Sequence, residues 1–409
     1  MKFAENWGRL DMKFDVWNYE KKPLPEVLSF IVDNRGKTVP TSDSGHILIA
    51  TNCVRNENLY PSYEKIRFLS EETYQNWFRA HPLPGDILFV CKGTPGKVCM
   101  VPDPIDFCIA QDMVALRVNE EIVNNKYLLA VLRSTKIQKQ IEQTSVGDVI
   151  PHFKKSFFDQ ILIPIPPMKI QELIGDYYFA FTNKIELNKK INNNLEQQAQ
   201  AIFTNEFLMF DSLPEGWTKG SLLDVANYLN GLAMQKFRPA EDEVGYPVLK
   251  IKELRQGCCD ANSELCSPNI KPEYIVDDGD VIFSWSGSLL VDFWCGGTCG
   301  LNQHLFKVTS DKYDKWFYYA WTNHHLQRFI AIAADMATTM GHIKREELAK
   351  SEVYIPTPDE YSRIGKILTP IYDLIIANRI ENKRLATLRD TLLPKLMSGE
   401  LDISEVSYE

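Results

Sequence analysis

The sequence predicts an α+β fold made by tandem duplication. A mixed, strand-rich domain is followed by a long helix, and the same pair then repeats, with the two long helices packing as an antiparallel coiled coil. Three observations carry this reading. Between residues 167 and 207, apolar side chains recur every seventh position at Ile174, Phe181, Leu195 and Ile202, with Asn188 in the remaining slot. A shift of 190 residues, with no gap, lands on Ile364, Ile371, Asn378, Leu385 and Leu392. The same shift carries Gly175 onto Gly365 and Ile165-Pro166 onto Ile355-Pro356. A heptad repeat sustained over this length is a coiled-coil seam rather than an ordinary amphipathic face. About 40 helical residues at about 1.5 Å each give a rod of roughly 60 Å.

The elements follow in order. Residues 1–166 form the first strand-rich domain. Short apolar runs, His46 to Ala50 and Asp86 to Val90, sit between Gly, Pro and Asn punctuation. A helix is predicted over Asn125 to Gln143, with Leu128, Leu132, Ile137 and Ile141 on one side. The strand Ile161-Leu-Ile-Pro-Ile-Pro-Pro167 is ended by prolines that also set the start of the first long helix, 167–209. The second domain, 210–356, repeats the order. Pro247 to Lys252 answers the strand around Leu48, and Gly279-Asp-Val-Ile-Phe283 answers Gly85-Asp-Ile-Leu-Phe89. Leu301 to Phe306 stands where Ala110 to Val114 stood. A second helix, Lys315 to Ile332, precedes Gly341-His-Ile-Lys-Arg345, which matches Pro151-His-Phe-Lys-Lys155 at the 190-residue shift. Residues 357–409 hold the second long helix and a tail. A period this long is a two-unit duplication and not a solenoid. Asn188 and Asn378 fall near the helix midpoints, so an antiparallel pair related by the duplication brings them together and lets them fix the register.

Composition bounds the function. At 409 residues the chain holds more than one core. The opening MKFAENWGRLDMKF lacks the apolar run of a signal peptide, and no stretch reaches membrane-span length. Nine irregularly spaced cysteines fit a reducing cytosol, so a cytoplasmic protein without membrane contact is expected. The formal charge is −9, so any contact with DNA has to come from local patches.

Catalytic constellations are missing. Gly93-Thr-Pro-Gly-Lys97 is a poor phosphate loop, with Cys91 at the first glycine position and Val98 at the Ser/Thr position. Pro358-Asp359 and Glu381-Asn-Lys383 formally satisfy a nuclease pattern. On one straight helix, though, those carboxylates lie roughly 33 Å apart and share no metal. Cys258, Cys259, Cys266, Cys295 and Cys299 contain no CxxC pair, so no zinc site is expected. The chain is therefore read as a non-enzyme that binds no cofactor and no metal.

Two similar but diverged globules on a fixed rod suit a ligand with two different, regularly spaced features, of which double-stranded DNA is the obvious case. Candidate contacts cluster at predicted strand ends and loops. The first domain offers Arg35, Lys37, Lys92, Thr94, Gln111, His152, Lys154 and Lys155. The second offers Lys236, Arg238, Lys250, Lys252, Ser284, Ser286, Gln303, His304, His342, Lys344 and Arg345. Arg and Lys reach phosphates and guanine edges, and Gln pairs with adenine. Trp285 and Trp294 are read as core. A non-enzymatic scaffold that binds protein through its two globules is the alternative, supported by the acidic charge.

Several of these stretches resemble one family. Leu213-Pro-Glu-Gly-Trp217, Gly279 to Ser288, Asn302-Gln-His304 and the Ile-Pro-x-Pro entry to each long helix look like the specificity subunit of Type I restriction-modification systems. The resemblance covers essentially the whole chain. It implies two target-recognition domains, each reading half of a split, asymmetric DNA site. The two helices would act as spacer and as dock for two modification (adenine methyltransferase) subunits, with restriction/translocase subunits joining the full complex. S-adenosylmethionine, ATP and Mg would then belong to those partners. The first half departs from the pattern: Val90-Cys-Lys-Gly-Thr94 replaces the usual Ser-rich run, and Gln111-Asp112 replaces Asn-Gln-His.

Overall fold

The computed structural model describes residues 15–34, 36–145, 147, 151–335 and 342–401. Arg35, one of the candidate contacts, lies outside the described residues. The chain divides into two compact units, Met1–Leu187 with Arg384–Glu409 and Asn188–Lys383. Each unit thus takes part of both long helices.

In the first unit, a four-stranded antiparallel sheet runs in the order Leu28–Val32, Met113–Val118, Ile87–Val90, Val98–Met100. A three-stranded sheet runs Arg67–Leu69, His46–Ile49, Phe107–Ile109, its last pairing parallel. The central strand Ile87–Val90 is covered on both faces. Ile87 and Phe89 enter the core under the helices, and Leu88 and Val90 enter the core between the sheets. Coverage on both faces makes its sequence a continuous apolar run instead of an alternation. The second unit repeats the plan with Asn227–Asn230, Leu305–Thr309, Val281–Ser284, Leu290–Phe293 and a second sheet Leu265–Cys266, Tyr246–Leu249, Cys299–Leu301, Ile275–Val276. Trp294 is fully buried and Trp285 half-buried against the second core.

The repeated Gly-Asp motif is structural. Asp86 accepts from the Leu83 amide at 2.8 Å and holds Arg117 through two bonds of 3.0 and 2.9 Å. Asp280 accepts from the Asp277 amide at 2.9 Å and pairs with Lys307 at 2.8 Å. Each aspartate therefore closes the turn into the central strand and ties it to the neighbouring strand.

The single helix expected after each sheet is broken in two. Asn125–Arg133 gives way to Thr135–Thr144 at Ser134, whose extended backbone and side chain cap the second segment. Lys315–His324 gives way to Leu326–Asp335 at His325, whose Nε2 bonds the Glu352 carbonyl at 2.8 Å.

The two long helices, Met168–Phe207 and Pro358–Met397, are 40 residues each. Gly175 is required by a close approach, because a Cβ there would sit 2.7 Å from the Tyr127 amide nitrogen. In the first unit, Ile170, Ile174 and Tyr178 of one helix and Leu393 and Met397 of the other share one core. In the second unit, Glu206 pairs with Arg363 at 2.6 Å and Glu196 with Arg379 at 2.9 Å. The partner number falls as the first number rises, so the packing is antiparallel. The seam has two stripes. Besides the expected one, Tyr178, Ile185, Asn192 and Ala199 are buried at the alternate heptad position.

That second stripe changes the polar layer. The sequence sets Asn188 opposite Asn378, but the hydrogen bonds run elsewhere. Asn188 donates to Asn382 at 2.9 Å and to Glu381 at 2.6 Å, while Asn378 donates to Asn192 at 2.8 Å. The 190-residue shift exchanges the two asparagine pairs, so the layer keeps the symmetry of the duplication, displaced by one helical turn. Asn192 also donates to the Ile375 carbonyl at 3.1 Å.

Candidate nucleic-acid interface

In each unit three loops meet at one end of the four-stranded sheet. The last rung of the central ladder is Val90 with Met113 in the first unit and Ser284 with Leu305 in the second. One and two residues beyond the rung, Cys91 and Lys92 donate their amides to the Asp112 carbonyl at 2.9 and 3.3 Å. A third segment joins from the other side. Lys92 bridges His152, and the amides of Gly93 and Phe153 reach the carbonyls of Pro151 and Cys91. The first unit thus aligns Asp112, Lys92 and His152, with Gln111 and Thr94 adjoining.

The second unit builds the same line from different side chains. Ser286 bridges His342, and the Ile343 amide reaches the Trp285 carbonyl at 2.9 Å, as Phe153 reaches Cys91. The Ser286 hydroxyl lies 3.1 Å from His304 Nδ1. Trp285 sits among them, its ring 6.2 Å from that of His304 and 5.8 Å from that of His342. The Trp285 indole N–H donates to Asn230 Oδ1 at 3.0 Å. The tips carry Gly93 and Gly287, both at positive φ, where a side chain would be strained.

Not every candidate lies at the surface of this line. The Oε1 atoms of Gln111 and Gln303 are both buried and without a hydrogen-bond partner among the described residues. Ser284 is buried and its hydroxyl donates to the Ser286 carbonyl at 3.3 Å. Lys37 is exposed on a separate loop. Lys154 is exposed above the Phe157 ring, while Lys155 is ion-paired with Asp33. Lys344 and Arg345 are exposed at the start of the short helix Arg345–Ala349.

Lys236, Arg238, Lys250 and Lys252 form a second group beside the sheet that contains Tyr246–Leu249. Lys236 is exposed. Arg238 and Lys250 converge on one carboxylate, Glu264, at 3.2 and 2.5 Å. Lys252 pairs with Asp260 at 3.2 Å. This group joins the loop line through the Asn302 amide, which reaches the Leu249 carbonyl at 3.2 Å.

Sequence reasoning read Trp285 as core, named Asp112 only as a departure from the family pattern, and did not name Asn230. The alignment of Leu301–Phe306 with Ala110–Val114 was the available signal for Asp112; nothing marked Asn230. Burial pushes the Cys91 thiol up to about 12, so at this end of the sheet it acts as packing. Among the described residues no group of three or more His, Cys, Asp or Glu is placed to hold a metal ion. No helix there is long and apolar enough to cross a membrane.

Comparison with known proteins follows the duplication. The model of the Type I restriction modification DNA specificity domain matches twice, over residues 19–197 and 214–388. The Type I restriction enzyme MjaIX specificity subunit of Methanocaldococcus jannaschii is 23% identical over 347 residues, covering 79% of each chain. The Type I restriction enzyme EcoKI specificity subunit of Escherichia coli is 25% identical over 316 residues, covering 69% of this chain and 67% of the relative. Among solved structures, the Type I restriction-modification S subunit from M. genitalium shares the fold. Its TM-score is 0.60 at 14% identity, covering 95% of this chain and 98% of that one.

Proposed function

The chain belongs to the Type I restriction modification DNA specificity family, and from that membership we propose that each of its halves reads one part of a bipartite, asymmetric DNA site. One observation carries the reading: the same three-loop line is built twice on the same ladder with different side chains. Asp112, Lys92 and His152 stand in one unit, and His304, Ser286 and His342 in the other. The subunit contributes recognition and leaves chemistry to partners. Two modification subunits dock on the paired helices and bring S-adenosylmethionine, and restriction/translocase subunits bring ATP and Mg. The assembly works in the cytoplasm on double-stranded DNA.

The helices set the gap between the half-sites. Because they pack antiparallel, a change of length has to be made in both. Four residues inserted after Asn194 and four after Ile375 add about 6 Å and roughly 40° of helical phase. One to two base pairs, at about 3.4 Å and about 35° each, compensate. Methylome sequencing of a host carrying the variant with its partners should show the gap lengthened and both half-sites unchanged. Exchanging residues 211–355 for a relative's should alter one half-site and leave the gap alone. An unchanged gap with persisting methylation refutes the spacer role, and an unchanged half-site after exchange refutes recognition by that domain.

A further inference from the structure

Resting on the DNA-reading role, we infer that the residue one step beyond the last rung of each ladder is a base-reading position. It is Asp112 in the first unit and His304 in the second, and the opposite hydrogen-bonding character of the two makes the half-sites chemically different. The positions are equivalent by geometry. Met113 pairs with Val90 and Leu305 with Ser284 as the terminal rung, and Asp112 and His304 are the residues immediately before Met113 and Leu305. The backbone holds each in place whatever its side chain. Asp112 is fixed by two amides on its carbonyl, and His304 by its own amide, which donates to Asn302 Oδ1 at 3.3 Å. The carboxamide oxygens of the neighbouring glutamines are buried, whereas His304 is exposed and Asp112 is partly exposed.

The two side chains ask for different partners. An ionised carboxylate only accepts hydrogen bonds. Among the described residues the Asp112 side chain makes no ion pair or hydrogen bond. On the major-groove edge the donors are the exocyclic amines of cytosine and adenine, so Asp112 takes an amine. His304 has its Nδ1 occupied by the Ser286 hydroxyl. When that hydroxyl donates, Nε2 carries the proton, and in the imidazolium Nε2 also carries it. Two of the three protonation states thus present a donor at Nε2. That donor takes an acceptor edge, best supplied by guanine N7 and O6. Ser286 is the positioning residue for His304. Its counterpart Lys92 is exposed and meets Asp112 through the backbone, its amide on the Asp112 carbonyl.

The test uses the chain assembled with its modification subunits and a randomised duplex pool, followed by binding to the selected sites. Asp112→Asn adds a donor and should relax one position of one half-site about tenfold, leaving the other half-site intact. His304→Gln should do the same at one position of the other half-site. Ser286→Ala should weaken that same position while the rest of the site is kept. Replacing single guanines by 7-deazaguanine in the wild-type site should weaken wild-type binding at one guanine and leave a His304→Gln complex indifferent there. A uniform loss of affinity across all sequences, or a 7-deazaguanine effect that survives His304→Gln at every guanine, overturns the inference while DNA reading stands. If the wild-type complex selects no sequence from the pool, the proposed function itself fails.

Discussion

The asparagine layer between the long helices makes a quantitative prediction. Asn192 and Asn378 are 5% and 8% exposed and bond to each other at 2.8 Å, with Asn192 also reaching the Ile375 carbonyl. Replacing Asn192 with Leu removes one partner and strands the Asn378 amide in the seam, and a stranded buried polar group costs about 1–3 kcal/mol. Asn378→Leu orphans the Asn192 carboxamide oxygen, while the Asn192 N–H keeps the Ile375 carbonyl. Replacing both removes the orphan and buries two leucines in its place, which is about neutral or stabilising. The Ile375 carbonyl keeps its helical bond throughout. The double variant should therefore be more stable than the sum of the singles by about 2 kcal/mol or more. Urea unfolding followed by far-UV circular dichroism measures the cycle, and hydrogen exchange of the helix amides around 188–195 shows that the change is local. The double variant should also tolerate slipped registers, seen as cross-links between cysteines placed one turn out of step. Single variants that cost nothing, or a double variant as unstable as the sum, would refute the pairing as the register device.

Three further outcomes follow from the geometry. Asp86→Asn breaks a largely buried ion pair with Arg117 and should cost about 3 kcal/mol, read as a lowered thermal midpoint. Burial lowers the His325 pKa from 6.5 to about 4. The unfolded chain takes up that proton first, so stability is complete above pH about 6.5 and falls as the pH drops towards 4. Urea midpoints across that window should flatten in His325→Gln, which can keep the bond to Glu352. Lys154→Ala and Lys344→Ala should weaken cognate and random DNA about equally and lower the salt slope of binding by about one; lost discrimination at an unchanged slope would assign that lysine to a base.

The duplication was legible because it is written in apolar spacing and in turn motifs, which tertiary context does not disguise. Ile174 and Ile364, Gly175 and Gly365, and the Gly-Asp turns all keep their places. The second seam stripe was not legible as apolar periodicity, because the polar Asn192 and the small Ala199 stand in it. The signal that reached it is the shift that carries Asn192 onto Asn382. The helix break at Ser134 was written as a Ser-Thr cap, whereas His325 breaks its helix through a contact 27 residues away. At the candidate interface, residue type identified Gln111 and Gln303, but the direction of each carboxamide depends on packing and was invisible. Residue type also identified His304, whereas its counterpart Asp112 became visible only through the ladder's register.

The acidic charge bears on which cations touch phosphate. Glu264 already lies between Arg238 and Lys250, and Asp260 holds Lys252. A phosphate drawn to any of these meets a fixed carboxylate, so the cation's attraction is largely cancelled at contact distance. Lys155 is compromised in the same way by Asp33. Among the described residues Lys154 and Lys344 are not ion-paired, and they stand at matching places two residues past His152 and His342. On the proposed reading an exposed, unopposed cation beside each loop line anchors the backbone while the line meets the bases, whereas the paired cations are held by their carboxylates. A chain with a formal charge of −9 can therefore bind DNA through a few well-placed lysines, provided its acids stay engaged with its other bases. Glu264→Gln puts this to measurement. It leaves Arg238 and Lys250 unopposed and should raise affinity for random DNA and steepen the salt slope, with the sequence preference unchanged. A slope that does not move would mean that this face never meets the duplex.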